Sequence, residues 1–145
     1  MSIKDRYQAY ADAFEESLAD DDWTRLEEYF TEDAIYRPDG SEEGQVAGRD
    51  AVMQRLKGGV DQFDRRMDSR EIEFTGEPHE EGSRVEAGWK VRYTKSGAPD
   101  VEIFGTETAE FRDDRIYILS DAFAPEAQSN LEGWIRDYGK TLTER

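Results

Sequence analysis

The sequence predicts an α+β fold: three N-terminal helices packed on a curved antiparallel sheet, with an extra helix at the C-terminus. Three observations carry this. Apolar residues repeat at helical spacing up to Phe63, then alternate with a period of two as far as Phe123. Turn residues punctuate the alternating part at short intervals, and a fresh helical stripe follows Pro125.

The elements follow in order. Ile3, Tyr7, Tyr10, Ala11, Phe14 and Leu18 form one stripe, so a helix covers 3–18. Asp20, Asp21 and Asp22 stop it and offer an N-cap to the next element. Trp23, Leu26, Tyr29 and Phe30 give a short second helix, and a strand over 34–37 ends at the turn signal Pro38-Asp39-Gly40. Residues 41–47 read as loop, and Gly48-Arg49-Asp50 opens a third helix with Val52, Leu56 and Val60 inward. Ile72 and Phe74 mark a strand, residues 76–82 a polar turn, and Val85 to Thr94 a longer strand. After a loop at 96–99 come strands over 101–112 and 116–123, joined at Asp113-Asp114. Matching the apolar faces of 85–94 and 101–112 requires an odd loop length or a bulge near Gly97. The last helix carries Ala127, Leu131, Trp134, Ile135 and Tyr138 on one stripe. One domain accounts for residues 1–145, with 125–145 as a C-terminal helical extension.

Composition narrows the function. Seven Phe, seven Tyr and three Trp in 145 residues argue for a packed globular chain. The net charge of −16 repels phosphates and anionic lipid, so no nucleic acid and no membrane partner is expected. The N-terminus has no apolar signal core, so a cytoplasmic protein is expected. Cys is absent and His79 is the single His, so neither thiolate chemistry nor a His-rich metal centre is open to the chain. His79 lies in a charged turn and reads as solvated. The acidic excess, with Arg outnumbering Lys 14 to 5, fits either a solvated surface or adaptation to high salt.

One residue breaks its pattern. Over 101–112 the odd positions are Val101, Ile103, Gly105, Glu107, Ala109 and Phe111, so Glu107 faces the core side. A carboxylate there is costly unless paired, hydrogen-bonded or protonated. Three readings fit: a pocket carboxylate, a buried structural ion pair or hydrogen bond, and a shifted register that puts Glu107 in solvent. Asp121 depends on the next hairpin. A two-residue loop sets Glu107 opposite Ser120 and Asp121 on the other face, and a bulge would reverse that. Trp89 shares the apolar face of its strand as core or pocket wall. Tyr10 and Phe14 are core residues that line any pocket between helix and sheet. Tyr36 and Asp39 flank the end of the first strand.

Local phrases add a resemblance. Tyr29-Phe30-Thr31-Glu32-Asp33-Ala34-Ile35-Tyr36, Ala47-Gly48-Arg49-Asp50-Ala51-Val52 and Glu110-Phe111-Arg112-Asp113-Asp114-Arg115-Ile116 stand in the order found in the nuclear-transport-factor-2-like (NTF2-like) superfamily. Over residues 3–124 the chain resembles its SnoaL-like polyketide cyclases and ketosteroid isomerases. The resemblance implies a cone-shaped sheet, the cystatin-like roll, and pairing of two copies through their outer sheet faces. Phe104, on an otherwise polar face, and the aromatic stripe of the last helix fit a homodimer. It also implies that Glu107, four residues before Phe111, holds the position of the relatives' acid. The isomerase tyrosine falls on Phe14 and its base on Pro38, beside Asp39. The cyclase histidine and the Arg-x-Asp pair of limonene epoxide hydrolases have no counterpart. The expected function is therefore cofactor-free acid–base chemistry, of cyclase, isomerase or epoxide-hydrolase type, on a small apolar ligand. Glu107 and Asp121 are its candidate catalytic groups, and Tyr10, Phe14, Tyr36, Asp39 and Trp89 its candidate pocket. The alternative is a non-catalytic ligand-binding or dimerising module on the same scaffold.

Overall fold

The computed structural model describes residues 2–38 and 42–142. Helix α1 (Ile3–Asp20) begins at Ser2, whose Oγ accepts from the Asp5 backbone while the Asp5 carboxylate accepts from the Ser2 backbone. It ends at Asp21 in the left-handed region, φ 61°. Asp22 then caps the next turn by accepting from the Thr24 backbone and hydroxyl. The second predicted helix is a single stretch of 3-10 helix, Thr24–Tyr29, and Phe30 already belongs to a strand. Strand β1 (Phe30–Pro38) is therefore longer than its apolar pattern suggests.

Strand β2 (Val46–Ala47) and helix α2 (Arg49–Gln62) follow. Then come β3 (Ser69–Phe74), β4 (His79–Glu81), β5 (Arg84–Lys95), β6 (Ala98–Arg112), β7 (Arg115–Phe123) and helix α3 (Pro125–Tyr138). The sheet order is β2-β1-β7-β6-β5-β3, with β4 also on β5. The expected meander runs antiparallel through β3, β5, β6 and β7, while β1 lies parallel to β7. The sheet is thus curved, open and mixed at one edge. His79 is not in a turn: β4 pairs it with Glu86, and its side chain stays exposed. Asp39 lies outside the described residues.

Two register irregularities position the site. Between Tyr93 and Lys95 the β5–β6 pairing shifts by one, so Ala87 faces Glu107 and Val91 faces Ile103, uniting the apolar faces. In the β6–β7 hairpin, Arg112 faces Arg115 and Phe111 faces Ile116, but Glu110 faces Ile118. Tyr117 is the extra residue. Beyond it the parity is reversed, and Glu107 faces Asp121 rather than Ser120.

The concave face of the sheet carries two apolar clusters. One gathers Tyr7, Tyr10, Leu26, Phe30, Val52, Val85, Ala87, Ala109, Phe111, Ile116 and Leu119 under α1 and α2. The other gathers Met67, Val91, Tyr93, Val101, Ile103, Ala127 and Trp134, with α3 against β6. Trp134 anchors α3 by donating from Nε1 to the Pro99 carbonyl at 2.8 Å. Phe104 packs, half-buried, against this second cluster, as does Leu131. Most of the apolar groups that suggested a pairing surface are thus used within the chain, leaving Ile135 and Tyr138 exposed on α3.

Gly105 lies between the clusters on β6. A Cβ there would come within 2.1 Å of the Ala122 carbonyl oxygen, so only glycine permits this approach of β7.

Candidate functional site

At the seam between the clusters each central strand changes character. On β6 the inward series runs Ile103, Gly105, Glu107, Ala109, and on β7 it runs Phe123, Asp121, Leu119. Glu107 and Asp121 are direct cross-strand partners there, both part-buried. Asp121 acts on the Glu107 carboxyl at close range, and a hydrogen bond between the two carboxyls requires a proton on one of them.

Two phenols complete the group. Tyr7 Oη donates to Glu107 Oε1 at 2.7 Å, across 100 residues of sequence. Tyr36 Oη donates to Asp121 Oδ2 at 2.7 Å. The chain Tyr7–Glu107–Asp121–Tyr36 thus joins α1, β6, β7 and β1. Burial, the charge of Asp121 and the bond to Asp121 hold the Glu107 pKa well above the ordinary range, and the Tyr7 hydroxyl only partly opposes them. Among the described residues the groups that act on Glu107 are a carboxyl and a phenol, with no guanidinium or ammonium group. Burial and the neighbouring carboxyls push Tyr7, Tyr10 and Tyr36 far above the usual phenol value, so these hydroxyls stay neutral donors.

The other candidates fall around this centre. Tyr10 is buried and feels both carboxyls electrostatically. Phe14 is one ring further out, 6.4 Å from Tyr10 and edge-on to Trp23 at 5.5 Å. Trp89 stands opposite Gly105 and meets Phe123 edge-on at 5.5 Å. Two surface hollows, of about 260 Å³ on the convex face and about 460 Å³ at the start of α2, lie elsewhere and touch neither carboxyl.

Sequence reasoning missed Tyr7 as a site residue. Its signal was present: a tyrosine on the buried stripe of the first helix needs a partner for its hydroxyl. The resemblance had assigned the helix-one tyrosine position to Phe14. The phenol that meets Glu107 comes from Tyr7, two helical turns earlier.

With this geometry in place, residues 7–118 match the SnoaL-like domain. The chain belongs to the SnoaL-like family. No curated protein matches this SnoaL-like chain. Solved structures do. An NTF2-like protein of unknown function from Exiguobacterium sp. 255-15 is 20% identical over 86% of this chain and 99% of its own, with a TM-score of 0.63. An epoxide hydrolase of M. tuberculosis, described as LEH-like, is 18% identical over 88% of each chain, TM-score 0.59. TerC, co-crystallised with polyporic acid, is 14% identical over 90% of this chain and 99% of its own, TM-score 0.64. These likenesses establish the fold. Helix α3 lies beyond residues 7–118, the part that matches the family. No described helix is long and apolar enough to cross a membrane.

Proposed function

We propose that this SnoaL-like protein is a cofactor-free acid–base enzyme that relocates a proton on a small, uncharged, enolisable carbonyl compound. The observation that carries the reading is the cross-strand carboxyl pair Glu107–Asp121 at the seam of two apolar clusters. A group kept only for folding needs one satisfying partner. A second carboxyl beside the first adds repulsion unless a proton is shared, and such sharing separates an acid from a base.

In the proposed step Asp121, as carboxylate, takes the proton from the carbon next to the carbonyl. Glu107 gives its proton to the carbonyl oxygen, forming an enol. The pair starts and ends the step with one proton, and exchange of that proton with solvent before it returns to carbon carries deuterium into the substrate. Return of a proton to a different carbon completes an isomerisation, and attack of the enol on a second carbonyl would complete a cyclisation. Epoxide opening shares the same core, with a proton delivered to oxygen by one carboxyl while the other activates water. Tyr7 and Tyr36 hold the carboxyls in place, and Tyr10, Phe14 and Trp89 supply apolar walls.

The test is exchange of α-protons of 1-decalone in D2O, followed by NMR. Wild type should accelerate it, and Glu107→Gln and Asp121→Asn should each lower that rate about 100-fold or more. A rate equal to buffer would support the non-catalytic binding module instead. Pairing of two copies remains part of the proposal. Its support is the convex-face hollow, where Arg37, Arg84 and Glu110 put both signs of charge around Thr106, Thr108 and Ser120. A single 16.7 kDa species in sedimentation at micromolar concentration would count against it.

A further inference from the structure

Trp89 carries a polar atom that the proposed chemistry does not use. Its Nε1–H is shielded from solvent and has no acceptor among the described residues. The rest of the side chain is only part-buried. Native folds leave few such donors unpaired, because a shielded N–H without an acceptor is destabilising.

Its position gives the donor a use. Strand β5 sets Ala87 opposite Glu107 and Trp89 opposite Gly105. Trp89 is therefore one two-residue step along the sheet and one strand across from Glu107, a diagonal of about 7–8 Å between backbones. Phe123 is the same step from Asp121, across from Gly105. Trp89 and Phe123 meet over Gly105, whose Cβ position is closed by the β7 backbone, one step along the strands from Glu107 and Asp121. The two rings supply an apolar wall, and the unpaired indole N–H supplies a donor within it.

We propose that Trp89 determines specificity by donating from Nε1 to a second oxygen of the bound molecule. The inference rests on the carboxyl pair as the place where the first oxygen sits. It narrows the substrate class to uncharged compounds with two acceptor oxygens at opposite ends of an apolar frame about as long as that diagonal. A monoketone leaves the indole unpaired. An anionic acceptor meets the protein's net charge of −16.

The probes are 1-decalone and decalin-1,5-dione, titrated calorimetrically into the full chain, with the indole N–H resonances followed in 15N-labelled protein. Wild type should bind the dione about tenfold tighter than the monoketone, the margin of roughly one good hydrogen bond. Trp89→Phe should erase that margin, weakening the dione about tenfold more than 1-decalone. Only the dione should shift the Trp89 indole resonance. Should Trp89→Phe not fold, benzothienylalanine at position 89 keeps the ring shape and removes the donor. No margin in wild type, or equal weakening of both ketones by the variant, would overturn the inference. Deuterium exchange separates it from the catalytic reading. A Trp89-dependent margin without Glu107-dependent exchange leaves this inference standing and removes the enzyme. Glu107-dependent exchange without the margin does the reverse.

Discussion

Glu107 and Asp121 face each other across β6 and β7, and each carboxyl is capped by a phenol from a different element. Their adjacency depends on one extra residue, Tyr117, in the hairpin. Without it Asp121 would point to the convex side, and Glu107 would be a solitary acid among apolar neighbours.

The first prediction concerns pH. The unfolded chain gives up the Glu107 proton near the ordinary value, about 4.3. The folded chain keeps it to higher pH. Between those values the folded state binds more protons, so stability falls as pH rises, by up to about 1.4 kcal/mol per unit for one group. This contribution is fully present below the unfolded value and is lost as pH rises through the raised one. Glu107→Gln should flatten that slope, and its urea midpoint should exceed that of wild type increasingly above pH 5. Surface aspartates held low by hydrogen bonds, such as Asp68 by Ser96, act in the opposite sense below about pH 4, outside this window.

Tyr7→Phe removes the hydrogen bond that, among the described residues, favours the charged form of Glu107. The Glu107 titration should move further up, and the alkaline limb of any pH–rate profile should move with it. The lost bond should also lower stability by about 1–3 kcal/mol. An unmoved profile with lowered stability would make Tyr7 a packing residue only.

Much of this was legible in the sequence. Period two gave the strands, and the parity of Glu107 within 101–112 marked it as inward. The need for a register correction near Gly97 also followed from parity alone, and it sits between Tyr93 and Lys95. What stayed illegible was non-local. No signal distinguishes a two-residue hairpin from the same hairpin followed by a bulge, so the side of Asp121 was open. Strand β4 is hidden in His79, Glu80 and Glu81 because an exposed edge carries no apolar alternation. The parallel pairing of β1 with β7 depends on how helices fold back on the sheet, which spacing within β1 does not encode.

Gly105→Ala tests the close approach of β7. The added methyl would meet the Ala122 carbonyl oxygen and the Phe123 Cα, both backbone and unable to yield cheaply. A loss of about 3 kcal/mol or more is expected from chemical denaturation, beyond an ordinary overpacking change. An equally stable variant would show that the strands can part at this point.

Arg70 tests the frame around the site. Its guanidinium bonds Glu15 of α1 and Asp64, at 2.7 Å for Asp64, and Tyr93 Oη donates to Asp64 at 2.8 Å. The Arg70 side chain is 12% exposed and that of Asp64 15%, so removing the cation strands a carboxylate. Arg70→Met should cost about 3 kcal/mol. Adding Asp64→Asn should recover part of that loss, which a mere packing defect would not allow.

The most direct measurement is the carboxyl 13C titration of Glu107, assigned by comparison with Glu107→Gln. The carboxyl pair predicts a Glu107 resonance that remains protonated well above pH 5 and that moves down in Asp121→Asn, where the neighbouring charge is gone. A Glu107 carboxyl that titrates with the surface glutamates, indifferent to Asp121, would contradict the shared proton on which the chemistry depends.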